Sequence, residues 1–369
     1  MEYIILIIYA MVISINYHKK GNWKHFFPSY VLIYLYCIIL FGLRYRVGID
    51  TLNYMYKYDD LPSLSLLSIE NFTESTSAPG WVMLVAVCKQ ITPSFYLIQL
   101  VVSLIFNSCL FVALKKYSKN PFLSFVIFMF MNGFYFNTEI LKESIAVGIF
   151  LLNIENLIEG KWRKYYSLVF LSFFFHYSAI ILLFFPLLRK LQFNMSFVLG
   201  GMSFVLLDVF LMKIISSYIP IEALSDRYEQ YGSMELNYNW ILFAFLKSAF
   251  IALCMLILSR IRKVHLGRFE FLLCLSILFA AGSIHFPIIF QRFNNYTCIF
   301  IAIVFTDFLL NKRFNQFVKI ALLCSYIVIY TYSYYEHGRY RIWYPYHSIL
   351  NEKMDKGREN LWFEMFPKY

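Results

Sequence analysis

Apolar residues in this chain gather into long runs with no regular alternation. The runs cover 2–17, 26–43, 95–114, 121–136, 140–158, 165–188, 194–218, 239–259, 268–286, 293–311 and 316–335. Roughly 20 apolar residues cross a bilayer core as a helix. Backbone left unpaired in lipid is costly, and barrel strands alternate with a period of two, which these runs do not. The pattern predicts an all-α, polytopic integral membrane protein with about 10–12 transmembrane helices and long external loops. A shorter run, 79–92, is marginal for spanning. No repeat, low-complexity tract or soluble segment interrupts the series, so residues 1–369 read as one integral-membrane domain.

The polar punctuation sets an orientation. Basic residues cluster at 19–24, 115–119, 161–164, 189–190, 260–268 and 312–319. The positive-inside rule makes these cytoplasmic and leaves 44–78, 219–238 and the tail 336–369 outside. Two places strain this assignment. The run 79–92 must then lie at the outer interface. The run 165–188 must dip and return, or Arg189 and Lys190 break the rule.

Composition agrees, with 60% hydrophobic and 15% charged residues where a soluble domain carries nearer a quarter charged. The net charge of +11 is dispersed between apolar runs and does not indicate nucleic acid. The first run follows Met1-Glu2 without a basic leader or small-residue cleavage site, and is expected to be a retained helix. All seven cysteines fall within or beside apolar runs without metal-ligand spacing, and read as small apolar residues.

Against this background a few polar groups carry candidate chemistry. Arg44, Arg46, Gly48, Asp50 and Tyr54 follow the second run as R-x-R-x-G-x-D-x-x-x-Y. Arginine forks bind phosphate oxygens in pairs, so the cluster suggests a phosphate-bearing lipid substrate. The alternative is that Arg44 and Arg46 anchor a helix end. Asp50 reads more as the partner of an arginine than as a base. Arg227, in the loop Asp226-Arg227-Tyr228, and Arg292 are balanced between interfacial anchors and ligand contacts. Tyr228 and Tyr344, the latter in Trp343-Tyr344-Pro345-Tyr346, offer rings that can stack on sugars. Glu139, Lys142, Glu143 and Ala146 have the spacing of one helix face at a membrane boundary. They either face a cavity or place acids at a helix N-terminus. His176, mid-run, is either a packing residue or a base. Asp208 and Lys247 lie inside apolar runs, where a charge faces a bundle interior or cavity.

Five segments in order strengthen the functional reading. They are the arginine segment at 44–54, Pro79-Gly80-Trp81, Asn137-Thr138-Glu139-Ile140-Leu141-Lys142-Glu143-Ser144-Ile145-Ala146, Phe175-His176-Tyr177-Ser178-Ala179-Ile180, and Trp343-Tyr344-Pro345-Tyr346. Together they resemble the EpsG-like and Wzy-type polysaccharide polymerases across almost the whole chain. One departure stands out: the family's third segment usually has an Arg-Gln pair where this chain has Lys142-Glu143. Lysine keeps the charge but loses the bidentate fork.

The resemblance implies a bacterial plasma-membrane enzyme acting on the external face. Its substrates would be undecaprenyl-diphosphate-linked oligosaccharides, joined into a surface polysaccharide with undecaprenyl diphosphate leaving. Arg44, Arg46, Tyr54, Lys142, Arg227, Tyr228, Arg292 and Tyr344 would hold substrate. Asp50, Glu139, Glu143 and His176 would be the candidates for proton chemistry. No cofactor or metal is called for, and a chain-length regulator is a conceivable protein partner. The rival readings are a ligase with the same donor chemistry and a flippase of lipid-linked sugars. An internal duplication would mark a transporter, and none is visible. An acyltransferase gains no support from the arginine–aspartate segment.

Overall fold

The computed structural model describes residues 2–201, 203, 238–283, 286–335, 340–341 and 343–350. Secondary structure is helical, with no strand among the described residues beyond one isolated bridge between Arg44 and Ser348. The chain forms two compact units. One runs to Pro186 and resumes at Tyr330; the other runs from Leu187 to Ile329.

In the first unit the helices are α1 (Glu2–Lys20), α2 (Trp23–Gly42), α3 (Thr51–Asp60), α4 (Ile69–Glu74), α5 (Pro79–Ile91), α6 (Tyr96–Tyr117), α7 (Pro121–Phe128), α8 (Phe134–Thr138), α9 (Leu141–Glu159), α10 (Trp162–Phe175) and α11 (Phe185–Leu188). Their ends follow local chemistry. Glu2 opens α1 and His18, Lys19 and Lys20 close it, matching the helix dipole. Asn120 caps α7 by accepting from Leu123 N at 3.1 Å, with Pro121 in the first turn. Gly160 ends α9 in the left-handed conformation at φ 72°.

Among the described residues four helices are long and apolar enough to cross a membrane: Trp23–Gly42, Tyr96–Tyr117, Ile288–Leu310 and Gln316–Tyr335. Several shorter apolar helices accompany them. Ile4, Ile8 and Ile15 on α1 and Leu32 and Ile39 on α2 are all more than half exposed, an outer surface suited to lipid. The marginal run at 79–92 forms α5, whose 13 residues reach about 20 Å, short of the roughly 30 Å hydrocarbon core. Inside the unit, α6 packs against α2 and α9. A Cβ on Gly148 of α9 would lie 3.2 Å from Cys109 of α6, so a small residue permits that approach. Asn107 Nδ2 bonds Asn137 Oδ1 at 2.8 Å deep in the same region.

The run 165–188 is not one straight span. Helix α10 ends at His176, and 3-10 turns carry the chain over Tyr177–Phe184. Tyr165, at the start of α10, donates to Leu182 O at 2.6 Å. A continuous helix would separate those residues by about 25 Å, so the chain folds back on itself at His176.

The second unit contains α12 (Tyr238–Ile261), α13 (Glu270–Gly282), α14 (Pro287–Leu310) and most of α15 (Gln316–Tyr335). Arg260 pairs with Glu270 at 2.5 Å, and Ser276 bonds Asn294 at 2.7 Å. Arg189 and Lys190 line one hollow with His265 and Arg268, so these two basic clusters lie together.

Candidate functional site

Helix α2 runs out in the R-x-R-x-G segment, and the turn there is built on main-chain carbonyls. Arg44 is 0% exposed. Its Nε donates to Val47 O at 3.1 Å, its Nη2 to Thr138 O at 3.3 Å, and its Nη1 to Phe41 O. Burial pulls its pKa down to about 10, partly offset by Tyr3, Tyr346 and Glu139, so the guanidinium stays charged at neutral pH. Gln99 of α6 donates to Gly42 O at 2.8 Å and Arg44 O at 2.9 Å. Tyr45 N bonds His347 O at 2.8 Å and Ile349 N bonds Leu43 O at 2.9 Å, tying the tail to the turn. Arg44 is thus an internal clamp. A direct diphosphate contact from it conflicts with this burial.

The rest of the segment shapes the entry to α3. Arg46 adopts φ 47° and Gly48 φ 109°. A Cβ on Gly48 would sit 2.7 Å from Thr138 O, so only glycine fits. Thr51 Oγ1 bonds Val47 O at 2.7 Å. Asp50 occupies the N-cap position of α3 without a side-chain capping bond, and is half-buried. The far end of α3 is held by Lys89, whose Nζ donates to the carbonyls of Tyr58, Asp59 and Leu61.

Thr138 lies where two helices meet at a break. A π-helical turn at Met129–Gly133 precedes α8, an irregularity frequent at functional sites. Asn137 Nδ2 bonds Gly133 O and Thr138 Oγ1 bonds Phe134 O, both at 2.8 Å. The amides of Glu139 and Ile140 then converge on one carbonyl, Tyr135 O, at 3.0 and 3.3 Å. That ends the ladder, and α9 starts afresh at Leu141. The single helical stripe expected for Glu139, Lys142, Glu143 and Ala146 is therefore corrected: Glu139 sits in the break and is 6% exposed, while the other three lie on α9.

Trp343 Nε1 donates to Thr138 Oγ1 at 3.0 Å, bringing in the tail motif. Its ring stands 5.3 Å from that of Tyr334. Replacing Trp343 with Phe keeps an aromatic ring and removes the donor. The expected loss is about 1 kcal/mol, read as a small drop in the detergent melting temperature, with Trp343→Ala dropping further.

The remaining motifs meet at the start of α9. Lys142 Nζ donates to Ser77 Oγ at 3.1 Å and lies 5.8 Å from the centre of the Tyr54 ring. Tyr54 in turn packs on Trp81, ring centres 5.6 Å apart. A Cβ on Gly80 would lie 2.7 Å from Phe174 O, so this glycine lets α5 abut the end of α10. Just beyond, His176 is extended at φ −153° and caps the 3-10 turns, its Nδ1 accepting from Ser178 N at 3.2 Å. Ser178 Oγ lies 2.7 Å from the same nitrogen. The other ring nitrogen, Nε2, lies 4.0 Å from Glu143 Oε2; the side chains are 14% and 2% exposed.

Arg46 is half-buried beside the Tyr45 ring, 5.3 Å from its centre, and Tyr344 is exposed. Arg292 is an exposed residue of α14 in the second unit. Arg227, Tyr228 and Asp208 lie outside the described residues. Among the described residues no cluster of three His, Cys, Asp or Glu is placed to hold a metal. Gln99 and Ser77 carry no local signal in the sequence, being a lone Gln in an apolar run and a Ser in a polar loop.

An all-helical bundle with lipid-facing apolar surfaces and a buried cluster of charged and hydrogen-bonding groups defines a multi-pass membrane protein. The family model for the EpsG family matches residues 27–348, and the chain belongs to that family. EpsG-like proteins are members of the Wzy-type polymerase family, which makes this a polysaccharide polymerase-like membrane protein. Comparison with curated proteins and with solved structures gave no match.

Proposed function

We propose that the protein is a membrane glycosyltransferase that polymerises undecaprenyl-diphosphate-linked oligosaccharide repeat units, releasing undecaprenyl diphosphate. The observation that carries this reading is convergence. Segments around Arg44, Trp81, Thr138–Glu143, His176 and Trp343, far apart in sequence, are joined by direct contacts within one unit. Transfer from a diphosphate needs cationic groups for the departing charge and a base for the attacking hydroxyl. Lys142 and Arg46 are assigned to the diphosphate, and Arg44 to positioning their shared framework. Asp50 supports the arginine turn. Tyr54 and Tyr344 offer rings to the sugars. Arg227, Tyr228 and Arg292 are further candidate substrate contacts. Glu139, buried beside the Arg44 clamp, balances its charge.

The orientation has a structural support. Helix α6 starts beside the arginine turn and ends at Lys115 and Lys116, about 33 Å away at 1.5 Å per residue over 22 residues. Helix α9 likewise starts at the Lys142–Glu143 cluster and ends near Lys161. The site and the basic clusters thus occupy opposite ends of the same helices. The positive-inside rule then assigns the site to the external face of a bacterial plasma membrane. The backward fold at His176 fits the same scheme, because a chain that dips and returns delivers Arg189 and Lys190 to the cytoplasmic side.

The test is a product gel from purified protein incubated with its lipid-linked repeat unit. A ladder of evenly spaced bands is expected. Lys142→Ala and Arg46→Ala should each slow it about 10- to 100-fold, the worth of a hydrogen bond to a charged group. A single transferred glycan without a ladder would indicate a ligase. No transfer, with movement of the same lipid across liposomes, would make this a transporter and sink the proposal.

A further inference from the structure

Two basic clusters far apart in the sequence share one hollow of the second unit, with a volume of about 140 Å³. Arg189 and Lys190 reach it from the segment after α11, His265 and Arg268 from the turn between α12 and α13. Gly267, at φ 91°, lets the chain make that turn. Glu270 is the one acid in the lining, and it is already engaged. Arg260 Nη2 donates to its Oε1 at 2.5 Å, and its Oε2 lies 3.8 Å from His265 Nδ1. With Glu270 balanced by Arg260, the positive charges of Arg189, Lys190 and Arg268 remain unopposed in the lining. Like charges gathered in a concave site focus a field that favours an anion between them. Two of the three are guanidiniums, whose planar forks match phosphate oxygens.

We propose that this hollow binds the phosphodiester headgroup of an acidic phospholipid from the cytoplasmic leaflet. Arg189 and Arg268 take the phosphate oxygens and Lys190 adds a third positive charge. The choice of a lipid over a free anion rests on the apolar residues that flank the cations. Leu187, two residues before Arg189, is 79% exposed, and Ile261, at the end of α12, is 68% exposed. A phosphodiester carrying acyl chains satisfies both the cations and these side chains, whereas inorganic phosphate satisfies only the cations. The positive-inside rule assigns the two basic clusters to the cytoplasmic side, the level of that leaflet's headgroups. Basic pockets between membrane helices on this side are suited to acidic headgroups. A lipid held there would fasten the segment after α11 to the turn between α12 and α13, and so stabilise the folded chain. The site belongs wholly to the second unit and stands independently of the glycosyl-transfer reading.

The test is a melting titration of the full chain in uncharged detergent, with dihexanoylphosphatidylglycerol as the probe. Dihexanoylphosphatidylcholine and inorganic phosphate are titrated beside it. The melting temperature should rise saturably with phosphatidylglycerol, as for any ligand that binds only the folded state. It should stay flat with the other two at the same concentrations. Replacing Arg189, Lys190 and Arg268 together with Gln should weaken the apparent affinity on the order of 100-fold, about fivefold per cation. A control with Lys164→Gln, Lys312→Gln and Arg313→Gln removes as much charge from other clusters and should stay within about twofold of the parent, since distant charges are screened. If the hollow variant does not fold, Lys190→Gln, at an exposed position, carries the test alone with about a fivefold loss. Equal shifts with phosphatidylcholine, or equal losses in the hollow and control variants, overturn the proposal. A shift from inorganic phosphate as large as that from the lipid makes this a free-anion site and overturns the lipid assignment.

Discussion

Arg44→Ala is expected to collapse the turn between α2 and α3, and to appear as loss of folded protein before any loss of substrate affinity. The guanidinium serves the carbonyls of Phe41, Val47 and Thr138 from a position with no solvent exposure. Each buried carbonyl left without a donor costs about 1–3 kcal/mol. Thr51 Oγ1 still serves Val47 O, so the carbonyls of Phe41 and Thr138 place the total at about 2–6 kcal/mol, a large part of the net stability of an ordinary domain. Lysine is not a substitute, because one ammonium nitrogen cannot span carbonyls that a planar fork reaches from three nitrogens. Melting in detergent, followed by size-exclusion fluorescence, should show Arg44→Ala and Arg44→Lys both strongly destabilised. Arg46→Ala should melt near the parent. An Arg44→Ala protein that melts normally but no longer binds the lipid-linked substrate would restore Arg44 as a direct phosphate ligand.

Gly48→Ala should be the second most damaging change in the same turn. At φ 109° a side chain is strained by about 1–3 kcal/mol, and the new Cβ would lie 2.7 Å from Thr138 O and 3.0 Å from Thr138 Cβ. Thr138 cannot simply retreat. Its carbonyl accepts from Arg44 and its hydroxyl accepts from Trp343. The clash should therefore propagate to both, and Gly48→Ala combined with Arg44→Ala should cost less than the sum of the two. A double-mutant cycle on melting temperature measures that coupling. Full additivity would show that the two residues do not act through Thr138.

The five motif segments were legible in the sequence because each carries an unusual local composition. Their mutual contacts were not. The Arg-x-Arg spacing suggests two equivalent phosphate ligands, yet one guanidinium is buried and the other lies half-buried beside the Tyr45 ring. The difference comes from backbone geometry, since Arg46 turns to positive φ while Arg44 pairs with Ser348. Similarly, a periodicity of three and four residues joins Glu139 to Lys142 and Glu143 only if the helix is continuous. Side-chain bonds from Asn137 and Thr138 to the preceding turn accompany a break that spacing alone does not reveal.

What the sequence determined by itself is the class of structure and the family. Apolar runs of bilayer length must become helices, whatever packs beside them, because lipid offers the backbone no other partner. Short polar segments keep their identity wherever they end up, which is why they were recognisable in order along the chain. The tertiary structure alone decided which polar groups are buried as clamps. Arg44 finds Thr138 across 94 residues and Trp343 finds the same residue across 205. Burial and hydrogen-bond partners at such separations depend on how helices pack, and no local pattern encodes them.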